Sequence, residues 1–104
     1  MNIEPMQFAT IISAKKLKKS GLSLGEEVFV VGSKVLPEKK NDPYLMRYYV
    51  IVVKLDEDNI PLIPTETDEN YAWLVDPRNL EAFNSEKQAD YTAKFELSRE
   101  PTIN

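Results

Sequence analysis

Residues 47–55 read Arg-Tyr-Tyr-Val-Ile-Val-Val-Lys-Leu, and the fold is decided there. Six apolar or aromatic residues follow one another, and four of them are β-branched. Branched side chains pack well on a pleated surface and lose rotamer freedom in a helix. The run fits a strand and is too short for an independent buried helix. In a strand, Tyr48, Val50 and Val52 share one face, and Tyr49, Ile51, Val53 and Leu55 share the other. Both faces are apolar, so both need a cover. A small barrel has one interior. The second face must therefore be sealed by residues 8–17, by residues 91–97, or by a second molecule, and one of the chain's own ends is the expected cover.

Working outward, Asp56-Glu57-Asp58-Asn59 is a polar turn that should send the next segment back antiparallel. That segment, residues 60–63, carries Pro61 and is followed by Pro64, which places it at a sheet edge because proline cannot donate to a ladder. Residues 71–75 (Tyr-Ala-Trp-Leu-Val) read as a further strand. Asp76-Pro77 then opens a helical turn carrying Leu80, Ala82 and Phe83. Ser85-Glu86-Lys87-Gln88 matches a capping box. Tyr91, Ala93, Phe95 and Leu97 alternate with polar residues, which predicts a half-buried last strand. Upstream, Val28–Val31 is apolar on both faces, and Gly32-Ser33 allows a bulge. Residues 37–44, with two prolines and Asn-Asp, read as a loop. A short strand over residues 6–12 and a short helix over residues 14–20, stopped by Gly21, complete the chain.

With 104 residues and 42% hydrophobic content, the sequence supports one domain with one core. The expected boundaries are a domain over residues 1–98 and a flexible tail over 99–104. Histidine and cysteine are both absent. Thiolate nucleophiles, His-based triads and the common zinc sites are thereby excluded. The glycines at 21, 25 and 32 cannot build a dinucleotide or P-loop fingerprint. Ser13-x-x-Lys16 lacks companion motifs and reads as a helix cap. An EF-hand at residues 56–58 fails, because Ile60 and Pro61 occupy positions that need a ligand and a glycine. The reading is therefore non-enzymatic, with no cofactor and no metal. No apolar run reaches the roughly 20 residues of a membrane helix. The first residues carry no secretory pattern, so the expected location is cytoplasmic.

Charge is segregated. Residues 1–40 hold seven Lys against four Glu, and residues 41–104 hold six Lys or Arg against thirteen Asp or Glu. Lys15, Lys16, Lys18 and Lys19 form the basic cluster, able to meet phosphates or to remain a solvated helix face. Glu66, Asp68 and Glu69 form an acidic loop. Tyr44, Tyr48, Tyr49, Tyr71 and Trp73 either line a groove or fill the core.

The order of strong strand, tight turn, edge strand, strand and one-turn helix resembles the small SH3-like β-barrels over residues 22–97. That resemblance implies recognition of proline-rich or basic segments by aromatic side chains beside an acidic loop. A second resemblance covers residues 10–31. There Thr10-Ile11-Ile12-Ser13-Ala14-Lys15-Lys16-Leu17, then Gly21-Leu22-Ser23-Leu24-Gly25-Glu26-Glu27-Val28, is similar to the swapped-hairpin core of AbrB-type regulators and MazE-type antitoxins. Glu26 stands where that family has Asp.

The expected fold is α+β and mostly β, a five- or six-stranded antiparallel SH3-like barrel with one or two short helices. The expected role is a protein-binding module, an accessory or inhibitor protein of the kind phages encode. Its contacts would be Tyr44, Arg47, Tyr48, Glu66, Asp68, Glu69, Tyr71 and Trp73, toward a basic partner. The alternatives are a nucleic-acid-binding regulator acting through Lys15, Lys16, Lys18 and Lys19, with a homodimer allowed, and a subunit of a larger assembly.

Overall fold

A computed structural model describes residues 6–13, 21–39, 42–62 and 72–99. Five strands, β1 (Gln7–Ile11), β2 (Glu27–Lys39), β3 (Asp42–Lys54), β4 (Ala72–Val75) and β5 (Leu80–Ala82), form one antiparallel sheet in the order β4-β3-β2-β1-β5. An α-helix, α1 (Ser85–Arg99), follows. The fold is α+β and mostly β. The expected helix over residues 14–20 and the expected tail beyond Arg99 lie outside the described residues. Among the described residues, no helix is long and apolar enough to cross a membrane.

The two edge strands are consecutive in sequence. Only a 3-10 turn, Pro77–Asn79, separates β4 from β5. Across a flat sheet of this order the two edges would lie roughly 19 Å apart. A tight turn rising about 2 Å per residue does not span that gap. The sheet therefore curls until its edges approach. All five strands line the concave side with Ala9, Ile11, Val28, Val30, Val50, Val52, Val75 and Leu80, joined by Leu22 and half-buried Trp73. Asp76 starts the turn as the sequence predicts. Its carboxylate accepts the Arg78 N–H at 2.9 Å, and Pro77 takes the first helical position. Leu80 and Ala82 belong to β5 and not to the turn, because β5 pairs with β1 at Ile11↔Leu80 and Ala9↔Ala82.

The convex side carries the second apolar set: Phe8, Phe29, Val53, Phe83 and Phe95, with Tyr91 packed against them. Its cover is the C-terminal segment, so the chain's own end seals the second face. That segment is a helix and not the expected strand. Asn84 caps it, accepting the Lys87 N–H at 2.8 Å. Tyr91 and Phe95 lie four apart and point inward, while Ala93 and Leu97 are exposed. The period-two pattern of residues 91–97 was coincidental, since only two of the four apolar residues find the sheet. Ring centroids at 4.8 Å (Phe8–Phe29), 5.2 Å (Phe29–Phe95), 5.3 Å (Phe8–Tyr91) and 4.9 Å (Phe83–Tyr91) make this layer an aromatic cluster. Each such pair contributes about 0.5–1.5 kcal/mol beyond area burial.

Two further expectations change. Of residues 37–44, expected as a loop, the described ones are strand: β2 runs to Lys39, β3 starts at Asp42, and those two residues pair. Residues 60–63 do not form an edge strand either. One bridge, Leu55↔Pro61, and a bond from Leu62 N to the Lys54 carbonyl at 2.8 Å are what Pro61 permits, and Ile63 lies outside the described residues. The edge partner of β3 is β4.

Phe95→Ala should cost about 3–5 kcal/mol in urea unfolding, and Leu97→Ala less than about 0.5 kcal/mol. A strand would bury both, and equal large losses would contradict the helix.

Candidate functional site

The hairpin of β2 and β3 is longer than the sheet it belongs to. Each strand has 13 residues, whereas β1 has five and β4 has four. Strand β1 covers β2 only from Glu27 to Val30, and β4 covers β3 only from Val50 to Val53. Beyond Gly32 and Ile51 the hairpin continues as a two-stranded arm. Its register is Lys34↔Tyr49, Val35↔Tyr48, Leu36↔Arg47 and Pro37↔Met46. At the root of the arm, β2 shifts register between Val30 and Gly32. Val31, the extra residue, packs toward the aromatic cluster. Such a bulge bends the strand and changes its alternation.

The arm carries apolar side chains into solvent. Val35 is 52% exposed, Leu45 45%, Met46 51%, Tyr48 44% and Tyr44 91%. Cross-strand partners share a face, so Val35 and Tyr48 form one apolar pair, and Met46 with Pro37 extends it outward. Arg47 donates to Glu38 at 2.8 Å across the ladder. This pair sits near the 3-10 turn. There Arg78 grips Asp76 with two bonds, Nη2 to Oδ2 at 2.8 Å and Nε to Oδ1 at 3.2 Å. The Arg78 side chain is the chief reason the Asp76 carboxyl falls to about 2. The turn's own N–H and the charge of Arg47 add to it, against a smaller opposing effect of burial.

Of the residues expected from sequence, the structure brings Tyr44, Arg47 and Tyr48 onto the arm. Trp73 is elsewhere. It sits on β4 opposite Val52, packed on the concave core, with the Lys54 ammonium 5.4 Å from its ring centre. Val52, its cross-strand partner, lies about 13 Å along β3 from Tyr48. Tyr71, Glu66, Asp68 and Glu69 lie outside the described residues, as do Lys15, Lys16, Lys18 and Lys19. Val35, Leu45 and Met46 were missed. Reading residues 37–44 as a loop hid them, although Tyr44-Leu45-Met46 joins the strong run at residue 47 without a break.

Other polar clusters serve the fold. Asp56 accepts from Asp58 N and Ile60 N at 2.8 and 3.0 Å, so its carboxylate closes its own turn. Among the described residues, no group of three or more acidic side chains could hold a metal ion. Glu27 joins β2 to α1, accepting from Tyr91 at 2.6 Å and pairing with Lys87 at 2.5 Å. Burial works against the Glu27 charge, but the bonds from Lys87 and Tyr91 outweigh it and hold its pKa below the ordinary value. The bond to Glu27, helped by burial, pushes Tyr91 up to about 12. A phenol held protonated in this way is a staple and not a base. An apolar hollow of about 270 Å³ lies between α1 and the sheet, lined by Met6, Phe8, Phe29, Thr92, Phe95 and Glu96.

No protein family, no characterised protein and no solved structure matches this chain significantly. The site is therefore read from its own chemistry.

Asp76 provides a pH test of the arm's base. Its folded pKa, about 2, lies below the ordinary 3.8. Its contribution to stability is complete above the higher value and is lost as pH falls toward the lower one. Asp76→Asn should remove that acid-side slope while keeping the cap, and Asp76→Ala should remove the slope and also cost about 0.5–2 kcal/mol at neutral pH through the lost cap, both measured by urea unfolding across the pH range. An unchanged slope would mean the pair does not form in solution.

Proposed function

We propose that this chain is a non-enzymatic protein-binding module of SH3-like kind that works through the arm of its β2–β3 hairpin. The observation that carries this reading is the exposure of Val35, Leu45, Met46 and Tyr48 on strands that run past their covering neighbours. Soluble proteins rarely leave contiguous apolar surface without a use for it. A two-stranded ribbon is also only marginally stable alone in water, so a surface that docks onto it supports its order as well. The order β4-β3-β2-β1-β5, with a one-turn helix before the last strand, supports the SH3-like reading.

The mode of recognition that fits is strand or ribbon docking, with Tyr48 and Met46 as anchors and the Arg47–Glu38 pair at the rim. Tyrosine suits that role, because it offers a large contact area for little lost rotamer freedom. An accessory or inhibitor role in a reducing, cytoplasmic setting fits the cysteine-free composition.

A photo-crosslinking residue placed at Met46 or Tyr48 in the native host tests this reading. Covalent protein adducts should form from both arm positions and not from Glu86, which is exposed on α1. Adducts absent from the arm, or equally abundant from position 86, would contradict it.

A further inference from the structure

The arm has two outer edges, and they differ. The β2 edge carries Lys34 and Pro37, the residues that proteins use to blunt a strand against unwanted pairing. The β3 edge from Leu45 to Tyr49 has one charge, Arg47, already engaged by Glu38. It faces no other strand among the described residues.

Two observations fix which backbone groups point out of that edge. The Lys54 carbonyl accepts from Leu62 on the outer side of β3, and strand groups alternate with a period of two. The N–H and C=O of Tyr48 and Met46 therefore face outward. Pro37 gives the same answer. It stands opposite Met46 and has no N–H to donate inward, so that pair makes no mutual bonds and Met46 turns its groups to the open side.

We infer that this edge pairs with the same edge of a second copy, antiparallel and two-fold symmetric about Met46. This rests on the reading of the arm as the binding surface and names its occupant. Centred on Met46, each Met46 N–H meets the other copy's Met46 carbonyl, so the ladder is self-complementary. Leu45 then stands opposite Arg47 of the second copy on both sides of the axis, and no like charges meet. Centring one residue further on would set the two Arg47 guanidiniums face to face, which is unfavourable. Met46 and Tyr48 lie on one face, so the apolar patches of the two arms join across the axis. A ladder this short buries less than the roughly 800 Å² per partner of a stable complex. The dimer is therefore concentration-dependent.

Sedimentation equilibrium of the purified chain tests the association. The mass should rise from 11.9 kDa toward twice that value with concentration, and Met46→Lys, with its fold checked by circular dichroism, should stay monomeric. Register is tested by oxidation, because the native chain has no cysteine. A hydrogen-bonded antiparallel pair sets its Cα atoms about 5.5 Å apart, within disulfide range. Met46→Cys should cross-link to itself under mild oxidant at least about tenfold faster than Leu24→Cys, an exposed position away from the arm. A monomeric mass at all concentrations, or equal cross-linking of the two variants, would overturn the inference. If the mass stays monomeric while Met46 still captures a different protein in the host, self-pairing falls and the arm remains the binding surface. If neither occurs, both fall.

Discussion

The fold depends on a side-chain amide acting as a piece of strand. Gln88, in the first turns of α1, accepts from the Phe8 N–H at 2.8 Å and donates to the Phe8 carbonyl at 2.6 Å. Strand β5 has only three residues and its pairing with β1 ends at Ala9. Without Gln88, the Phe8 N–H would lose its partner in a residue that is fully buried. An orphaned buried donor costs about 1–3 kcal/mol. The helix that supplies this amide also supplies Tyr91 and Phe95 to the aromatic layer. One short contact thus joins the edge of the sheet to the cover of its convex face, and the Glu27 link to Tyr91 and Lys87 ties the same turns of the helix to β2.

How much of this was legible follows from what each element asks of its sequence. The run at residues 47–55 is a strand in any context, because adjacent β-branched residues buried on both faces leave no alternative. The 3-10 turn was also legible, since Asp76-Pro77 states its chemistry locally. The C-terminal helix was not. It touches the sheet along a narrow stripe, and its apolar residues at 91, 93, 95 and 97 mimic a strand's period. The Ser85-x-x-Gln88 pattern did mark a helix start, but the cap is Asn84, and Gln88 is spent on Phe8. That bond spans 80 residues, and no local pattern could announce it. Strand β5 is too short for periodicity and exists because β1 offers it an edge.

The candidate site was half legible for a related reason. Tyr44, Arg47 and Tyr48 were named as contacts from their types, and the structure does place them together on the arm. Trp73 was grouped with them by type, and its register on β4 sets it half-buried against the concave core. Val35 and Met46 were hidden because prolines at 37 and 43 suggested a loop. Pro37 is tolerated in β2 because its nitrogen faces the outer edge. Pairing continues past both prolines to Lys39↔Asp42, with a register shift after Pro37. A covered body with an exposed arm is the arrangement from which the functional reading follows: α1 covers one apolar face, and Val35, Tyr44, Leu45, Met46 and Tyr48 are exposed together on one ribbon.

Amide hydrogen exchange followed residue by residue in dilute solution tests that arrangement most directly. A latched, fully buried Phe8 N–H should exchange only through global unfolding, with protection equal to that of Phe29 and Val53, while the Met46 and Tyr48 amides, which face the open edge, exchange with little protection and the inward Arg47 and Tyr49 amides exchange through local opening of the arm. A Phe8 amide that exchanges as fast as those of the arm, or arm amides as protected as Phe8, would contradict the division into sealed body and open arm.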